Sequence, residues 1–200
     1  MRHALSAALT YNLPSPLKDH IGSAILGGWS VDTIITARSA TPVNVTTMRI
    51  TVGGQQIDQR PDRVDGVPLY ITDPSVPGGR RFNPAAFAAP PAPPAGGVAR
   101  QGNLGRNALR GFPISQFDLA VRRKFKLTER LTFQFRAELF NVFNHPNFAD
   151  PVSRLSSSAF GRSTSMFGRS LGTGGDGGGL NPLYQIGGPR SIQLALRLQF

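Results

Sequence analysis

The sequence predicts an all-β chain of antiparallel, up-and-down strands, each oily on one side and polar on the other, forming part of a membrane-spanning β-barrel. Three observations carry that expectation. The last ten residues, Ser191-Ile-Gln-Leu-Ala-Leu-Arg-Leu-Gln-Phe200, alternate without a fault. Ile192, Leu194, Leu196, Leu198 and Phe200 share one side, and Ser191, Gln193, Ala195, Arg197 and Gln199 share the other, which is the period of a strand. No run of about twenty apolar residues exists, so no helix is expected to cross a bilayer. Finally, the chain stops within its most regular strand, whereas soluble chains usually fray at their ends. A closed barrel has lipid outside, water inside and no free edge, and it fits this pattern.

Five segments read as strands in turn. The first covers about residues 3–13, where Leu5, Ala7, Leu9, Tyr11 and Leu13 alternate with Ala4, Ser6, Ala8, Thr10 and Asn12 until Pro14 and Pro16 stop it. The second covers about 26–38, with Trp29, Val31, Thr33, Ile35 and Ala37 on one side. Pro42 ends it or begins an extension from Val43 to Thr47. The third covers about 115–125; Phe117, Leu119, Val121 and Phe125 oppose Asp118, Ala120, Arg122 and Lys124. Arg123 interrupts its oily side, and near a membrane interface its head is expected to snorkel to water. The fourth covers about 130–143. A helix competes there, but Leu131, Phe133, Phe135 and Leu139 scatter around a helix and stack on one face of a strand. The fifth covers about 190–200.

The connections come in two lengths. Lys126–Glu129 is a short turn and Pro14–Gly27 a moderate link, while about 39–114 and 144–189 are long loops. With Phe200 on the inner side of the membrane, both long loops fall outside, the asymmetry of outer-membrane barrels. Pro84–Gly97, with its repeated Pro, is expected to build no ladder because Pro lacks the amide donor. Thr173–Gly179 is Gly-rich and expected to be flexible. Phe160-Gly-Arg-Ser163 recurs as Phe167-Gly-Arg-Ser170, too few copies for a repeat architecture.

Composition narrows the function classes. With 23 Gly, 17 Pro and 16% charged residues, the chain is a poor candidate for a compact soluble domain. Its net charge is +11, yet no Lys/Arg run exceeds the three residues Arg122-Arg123-Lys124. The basic residues are scattered, so no nucleic-acid partner is expected; an anionic lipid surface or ligand fits the charge as well. The absence of cysteine excludes disulfides and thiol chemistry. Met1–Asn12 does not read as a signal peptide, so an export signal is expected upstream and the chain is expected to be the C-terminal fragment of a longer protein.

Candidate functional residues follow from the faces. Asp118, Arg122, Lys124, Arg136, Glu138 and Arg197 are expected to face the lumen, with cross-strand ion pairs among them. Their mixture of signs favours pairing over a glycosidase-like pair of carboxylates. No Gly-x-Ser-x-Gly elbow, phosphate loop or dinucleotide fingerprint occurs. His145 reads as a turn residue rather than a metal ligand. The protein is therefore expected not to be an enzyme and to need no cofactor or metal. Tyr11, Trp29, Phe140 and Phe143 are candidates for the aromatic girdles at the membrane boundaries. Asn141, Asn144 and Asn147 are expected to satisfy main-chain groups in turns, with Pro146 ending the strand.

Several segments carry a family resemblance. They are Gly27-Gly-Trp-Ser-Val31 with Thr36-Ala-Arg-Ser-Ala-Thr-Pro-Val-Asn-Val45, then Gln59-Arg-Pro-Asp62, Gly102-Asn-Leu-Gly-Arg-Asn-Ala-Leu-Arg-Gly111 and, most specific, Leu131-Thr-Phe-Gln-Phe-Arg-Ala-Glu-Leu-Phe-Asn-Val-Phe-Asn-His-Pro-Asn-Phe148. Together they resemble the C-terminal β-barrel region of Oar-like, TonB-dependent receptors of the bacterial outer membrane, many with a carboxypeptidase-regulatory-like domain. The terminal Leu196, Leu198 and Phe200 likewise resemble the signature read by the barrel assembly machinery. The resemblance implies a 22-stranded barrel around a plug, importing a bulky ligand with energy from the TonB complex. Five strands are too few to close such a barrel, so this chain would be a wall segment that does not transport alone. Its partners would be outer-membrane lipid, the assembly machinery, the ligand, and a plug and TonB complex reached through the N-terminal part. The alternative from the residues is a soluble or surface-exposed β-sandwich used for binding or adhesion, its oily faces packed together.

Overall fold

The computed structural model describes residues 2–14, 27–95, 97–170 and 187–200. The link over 15–26 and the Gly-rich stretch 173–179 lie outside these residues. The strands in chain order are β1 (Ala4–Asn12), β2 (Trp29–Arg38), β3 (Pro42–Val43), β4 (Arg49–Val52), β5 (Gln55–Asp58), β6 (Asp62–Arg63), β7 (Tyr70–Thr72), β8 (Arg80–Phe82), β9 (Phe87–Ala88), β10 (Leu109–Arg110), β11 (Ile114–Lys126), β12 (Thr132–Phe140) and β13 (Ser191–Gln199). The chain divides into two compact units. One joins residues 3–38, 114–147 and 171–200; the other joins 1–2, 39–113 and 148–170.

The first unit is a five-stranded antiparallel sheet in the order β1-β2-β11-β12-β13, and it is not closed. Its strands run 9, 10, 13, 9 and 9 residues, the length that crosses a bilayer when tilted. Register puts like with like. Tyr11, Val31, Val121, Ala137 and Leu194 stand opposite one another across all five strands, as do Leu9, Thr33, Leu119, Leu139 and Ile192. Opposite residues share a face, so the oily positions form one continuous surface. That surface is open: Leu9, Leu194 and Leu196 are 65%, 67% and 68% exposed. Among the described residues no second sheet covers it.

Arg123 departs from the snorkelling expectation. It stands on the oily face between Trp29 and Phe135. Its guanidinium lies 5.3 Å from the Trp29 ring centroid and 4.2 Å from that of Phe125, leaving the residue 7% exposed. Stacking on these ring faces offsets part of the cost of holding a cation there.

β12 ends earlier than expected. It stops at Phe140 rather than Phe143, because Asn141 turns to φ 49° and carries the chain out of the sheet. Asn tolerates this left-handed backbone better than most residues. The short connection before β12 closes with the Leu127 and Thr128 amides on the Leu131 carbonyl, at 2.9 and 3.1 Å. The Thr128 hydroxyl accepts from the Leu131 amide at 3.0 Å.

The second unit shows that the long loops contain more structure than their composition suggested. It holds four two-stranded sheets: β3 with β10, β4 with β5, β6 with β9, and β7 with β8. Strand β9 lies inside the Pro-rich stretch expected to build no ladder. Phe87 and Ala88 are free of Pro and pair with Arg63 and Asp62. The unit has its own core of Val43, Val45, Phe82, Ala86, Phe87, Leu104, Leu109 and Phe160. Phe82 and Phe87 contact Phe160 at ring-centroid distances of 6.1 and 5.6 Å. The expected extension after Pro42 is reduced to β3 and a bridge from Thr46 to Arg154. The two Phe-Gly-Arg-Ser copies fold differently, the first as a turn and the second as a single helical turn, α1 (Phe167–Ser170).

Candidate functional site

The polar face of the five-stranded sheet gathers most of its charged side chains. Register brings Thr10, Asp32, Ala120, Glu138 and Gln193 into one row, and Asn12, Ser30, Arg122, Arg136 and Ala195 into the next. Lys124, Gln134 and Arg197 make a third. The six residues expected on this face, Asp118, Arg122, Lys124, Arg136, Glu138 and Arg197, all lie on it.

Their pairing differs from the expectation in two respects. Arg122 and Arg136 stand directly opposite each other, an unfavourable placement of like charges. Each turns to a different carboxylate. Arg122 Nε lies 3.3 Å from Asp32 Oδ2 across the strands, and Arg136 Nη2 lies 2.6 Å from Glu138 Oε1 along its own strand. Asp32 also accepts from the Thr10 hydroxyl at 2.7 Å, so this pair fastens β1, β2 and β11 together. Among the described residues Asp118 makes no ion pair. It accepts from Gln116 Nε2 at 2.8 and 3.0 Å and from the Asn141 amide at 2.8 Å, which holds the point where β12 ends. Lys124 and Arg197 flank Gln134 with no carboxylate in their row.

Asp32 and Thr10 escaped the sequence reading, although the alternation of the second strand already put Asp32 on the polar side. What the sequence alone lacked was the register that sets Asp32 beside Arg122. A small cavity of about 50 Å³ lies among Asp32, Asp118, Arg136, Glu138 and Phe140. Among the described residues no three His, Asp or Glu side chains come together as metal ligands. The arrangement can present charge and brace a wall.

The girdle candidates separate. Tyr11 and Trp29 belong to the oily face, where Trp29 meets Phe135 edge-on at 6.5 Å. Phe143 lies against Phe117 of that face at 5.4 Å and is 75% exposed. Phe140 does not join them. It shares the parity of Glu138, lies opposite Ser191 and is buried beside the polar cavity, so it is not placed for a girdle. Leu196 and Leu198 lie exposed on the oily face opposite Phe135 and Phe133, and Phe200 is exposed beyond β13.

At the other end of β12, three asparagines fasten the departing chain. Asn141 Nδ2 donates to the His145 and Gly188 carbonyls at 2.9 and 2.8 Å, and its Oδ1 accepts from the His145 amide at 3.0 Å. Asn144 Oδ1 accepts from the Arg190 amide at 3.1 Å. Asn147 binds the main chain of Ser115. Gln116 adds a further hold that the sequence did not signal, its Oε1 accepting from the Gly187 amide at 2.6 Å.

A family model described as outer membrane beta barrel domain matches residues 1–174. No curated protein and no solved structure matches the chain. The match spans β1 to β12, and the antiparallel two-faced sheet agrees with it, although these five strands do not close on themselves. The chain therefore belongs to the outer membrane beta barrel domain family, and its place is the bacterial outer membrane.

Proposed function

We propose that this chain is a wall segment of a TonB-dependent, Oar-like receptor that takes up a bulky ligand. The observation that carries the reading is the two-faced sheet: one surface is continuously oily and open, and the other bears Asp32, Arg122, Arg136 and Glu138 in mutual pairs. In this reading lipid wets the first surface, and the lumen with its plug meets the second. The role is binding and transport rather than catalysis. β1 and β13 are the sheet's outer strands, and both run the same way, because an odd number of antiparallel strands separates their ends. Copies joined edge to edge in one membrane orientation would thus have parallel seams, so an antiparallel wall needs further strands between β13 and β1. Leu196, Leu198 and Phe200 supply the recognition end for the assembly machinery, and the second unit, with its own core, supplies the surface that meets ligand.

The test is genetic. Deleting the gene and abolishing TonB energy coupling are expected to deprive the cell of the same source among a panel of bulky nutrients, with the double mutant no worse than either. Additive defects, or a deletion without effect on any source, would remove the receptor reading.

A further inference from the structure

The oily face is not uniform. Where β12 leaves the sheet at Phe140, β11 continues toward Ile114 without a neighbouring strand on that side. The Asn147 side chain takes the place of the missing main chain there. A side chain restores hydrogen bonds but does not extend the oily surface, and the result is a groove of about 230 Å³. Ile35, Ala37, Ser115 and Phe117 of the oily face line it, together with Phe143 and His145 of the departing chain. Phe143 is held over it by Phe117.

We infer that this groove holds one acyl chain of a membrane lipid in a fixed position. The inference rests on the reading of the oily face as lipid-facing. The groove is continuous with that face through Ile35 and Phe117, which stand opposite each other in adjacent strands. Its walls are chiefly hydrocarbon and aromatic, and a flexible acyl chain is the apolar occupant that a bilayer supplies at this surface. Elsewhere the exposed leucine rows offer a surface on which lipid chains exchange freely. Here the ring of Phe143 and the step at Ser115 give one chain walls on more than one side.

Fluorescence quenching tests it. Trp29 is the only tryptophan, so a Trp29→Phe background is dark. Phe143→Trp then reports on the groove and Leu194→Trp on the middle of the oily face. The whole barrel that contains this chain, with any tryptophan outside the chain also changed to Phe, is placed in phosphatidylcholine vesicles with or without bromine on the acyl chains. Emission from Phe143→Trp is expected to fall at least two-fold in brominated vesicles. Filling the groove with Ala37→Leu, or with Ser115→Val from the next strand, should remove at least half of that quenching. Quenching at Leu194→Trp should not change. Quenching at the groove that ignores both fillings would overturn the site in favour of ordinary surrounding lipid, and quenching confined to Leu194→Trp would overturn it as well. Absence of quenching at both reporters would instead overturn the facing on which the inference rests.

Discussion

Asn147 binds Ser115 as a neighbouring strand would. Its Oδ1 accepts from the Ser115 amide at 2.8 Å, and its Nδ2 donates to the Ser115 carbonyl at 3.0 Å. The carboxamide presents an acceptor beside a donor, as the N–H and C=O of one strand residue do toward its neighbour, and the same Nδ2 also donates to the His145 carbonyl at 3.3 Å. It is 0% exposed, so water cannot replace it. Asn147→Ala should therefore leave both main-chain groups of Ser115 unpaired, at about 1–3 kcal/mol for each group that stays buried. Hydrogen exchange at the Ser115 amide is the measurement: it should accelerate strongly, while the Val121 amide in mid-sheet should hold. Unchanged exchange at Ser115 would show that the side chain is not its partner.

The two faces make a second prediction. Leu194 and Ala195 are adjacent and at nearly the same depth, but Leu194 lies opposite Ala137 on the oily face and Ala195 opposite Arg136 on the polar one. Leu194→Arg should cost about 2–4 kcal/mol if it faces lipid near the midplane. Ala195→Arg should cost well under half of that, even with the like charge of Arg136 opposite adding about 0.2–1 kcal/mol. Equilibrium unfolding from vesicles compares them, and equal costs would refute the assignment of faces. Gln193 is a poorer control, because its Oε1 is buried beside Glu138.

The sheet was legible because alternation survives without tertiary context. Leu5 to Tyr11 and Ile192 to Leu198 face one way whatever they touch, and the observed strands differ from the expected spans by only a few residues at their ends. The loops were not legible in the same way. Phe82, Phe87, Leu104 and Phe160 form one core, yet they are single apolar residues scattered among Gly, Pro and Arg, with no period to reveal them. Parity also explains the misplaced girdle residue: Phe140 follows Leu139 by one position, and one position changes the face. Pairing partners such as Asp32 and Arg122 depend on register, which a single strand does not encode.

Gly161 bears on the second unit's core. Its φ is +77°, and a Cβ there would lie 2.6 Å from the Phe82 carbonyl oxygen and 2.8 Å from the Phe82 nitrogen. These are main-chain atoms already fixed by the bond from the Phe82 amide to the Gly161 carbonyl at 3.0 Å. Gly161→Ala should cost about 1–2 kcal/mol from the left-handed backbone alone, before the clash is relieved. Limited proteolysis should then cut the segment 80–90 faster than in the parent chain. A cleavage pattern identical to the parent's would mean that the backbone yields there without cost.

Acid should loosen one corner of the same unit. Arg100 grips Asp62 with Nη1 and Nη2 at 2.9 and 2.7 Å, and the Asn103 amide donates to the same carboxylate at 2.9 Å. The hydrogen bond from Arg100, then that from Asn103, holds the Asp62 carboxyl below the usual aspartate range. A depressed folded-state value stabilises above the unfolded value and is lost as pH falls through the folded one. Amide exchange at Asn103, corrected for its intrinsic pH dependence, should accordingly lose protection only when the medium is more acidic than an ordinary aspartate requires. Asp62→Asn should abolish that pH dependence; if the variant keeps it, another group is responsible.

The pair of Asp32 and Arg122 reads the wetness of the polar face. Both side chains are partly exposed, at 21% and 33%, and their closest approach is 3.3 Å. A pair bathed in a water-filled lumen should couple by about 0.2–1 kcal/mol in a double-mutant cycle of Asp32→Ala and Arg122→Ala. The coupling should shrink with added salt, since the screening length is about 8 Å at physiological ionic strength. A protein element filling the lumen would exclude water from the pair, and desolvation would make the loss of one partner cost more than the loss of both. The cycle run on the protein in native outer-membrane vesicles therefore distinguishes an open wall from a plugged one. Small, salt-sensitive coupling belongs to a wet face; large coupling insensitive to salt belongs to a face covered by the plug that the receptor reading requires.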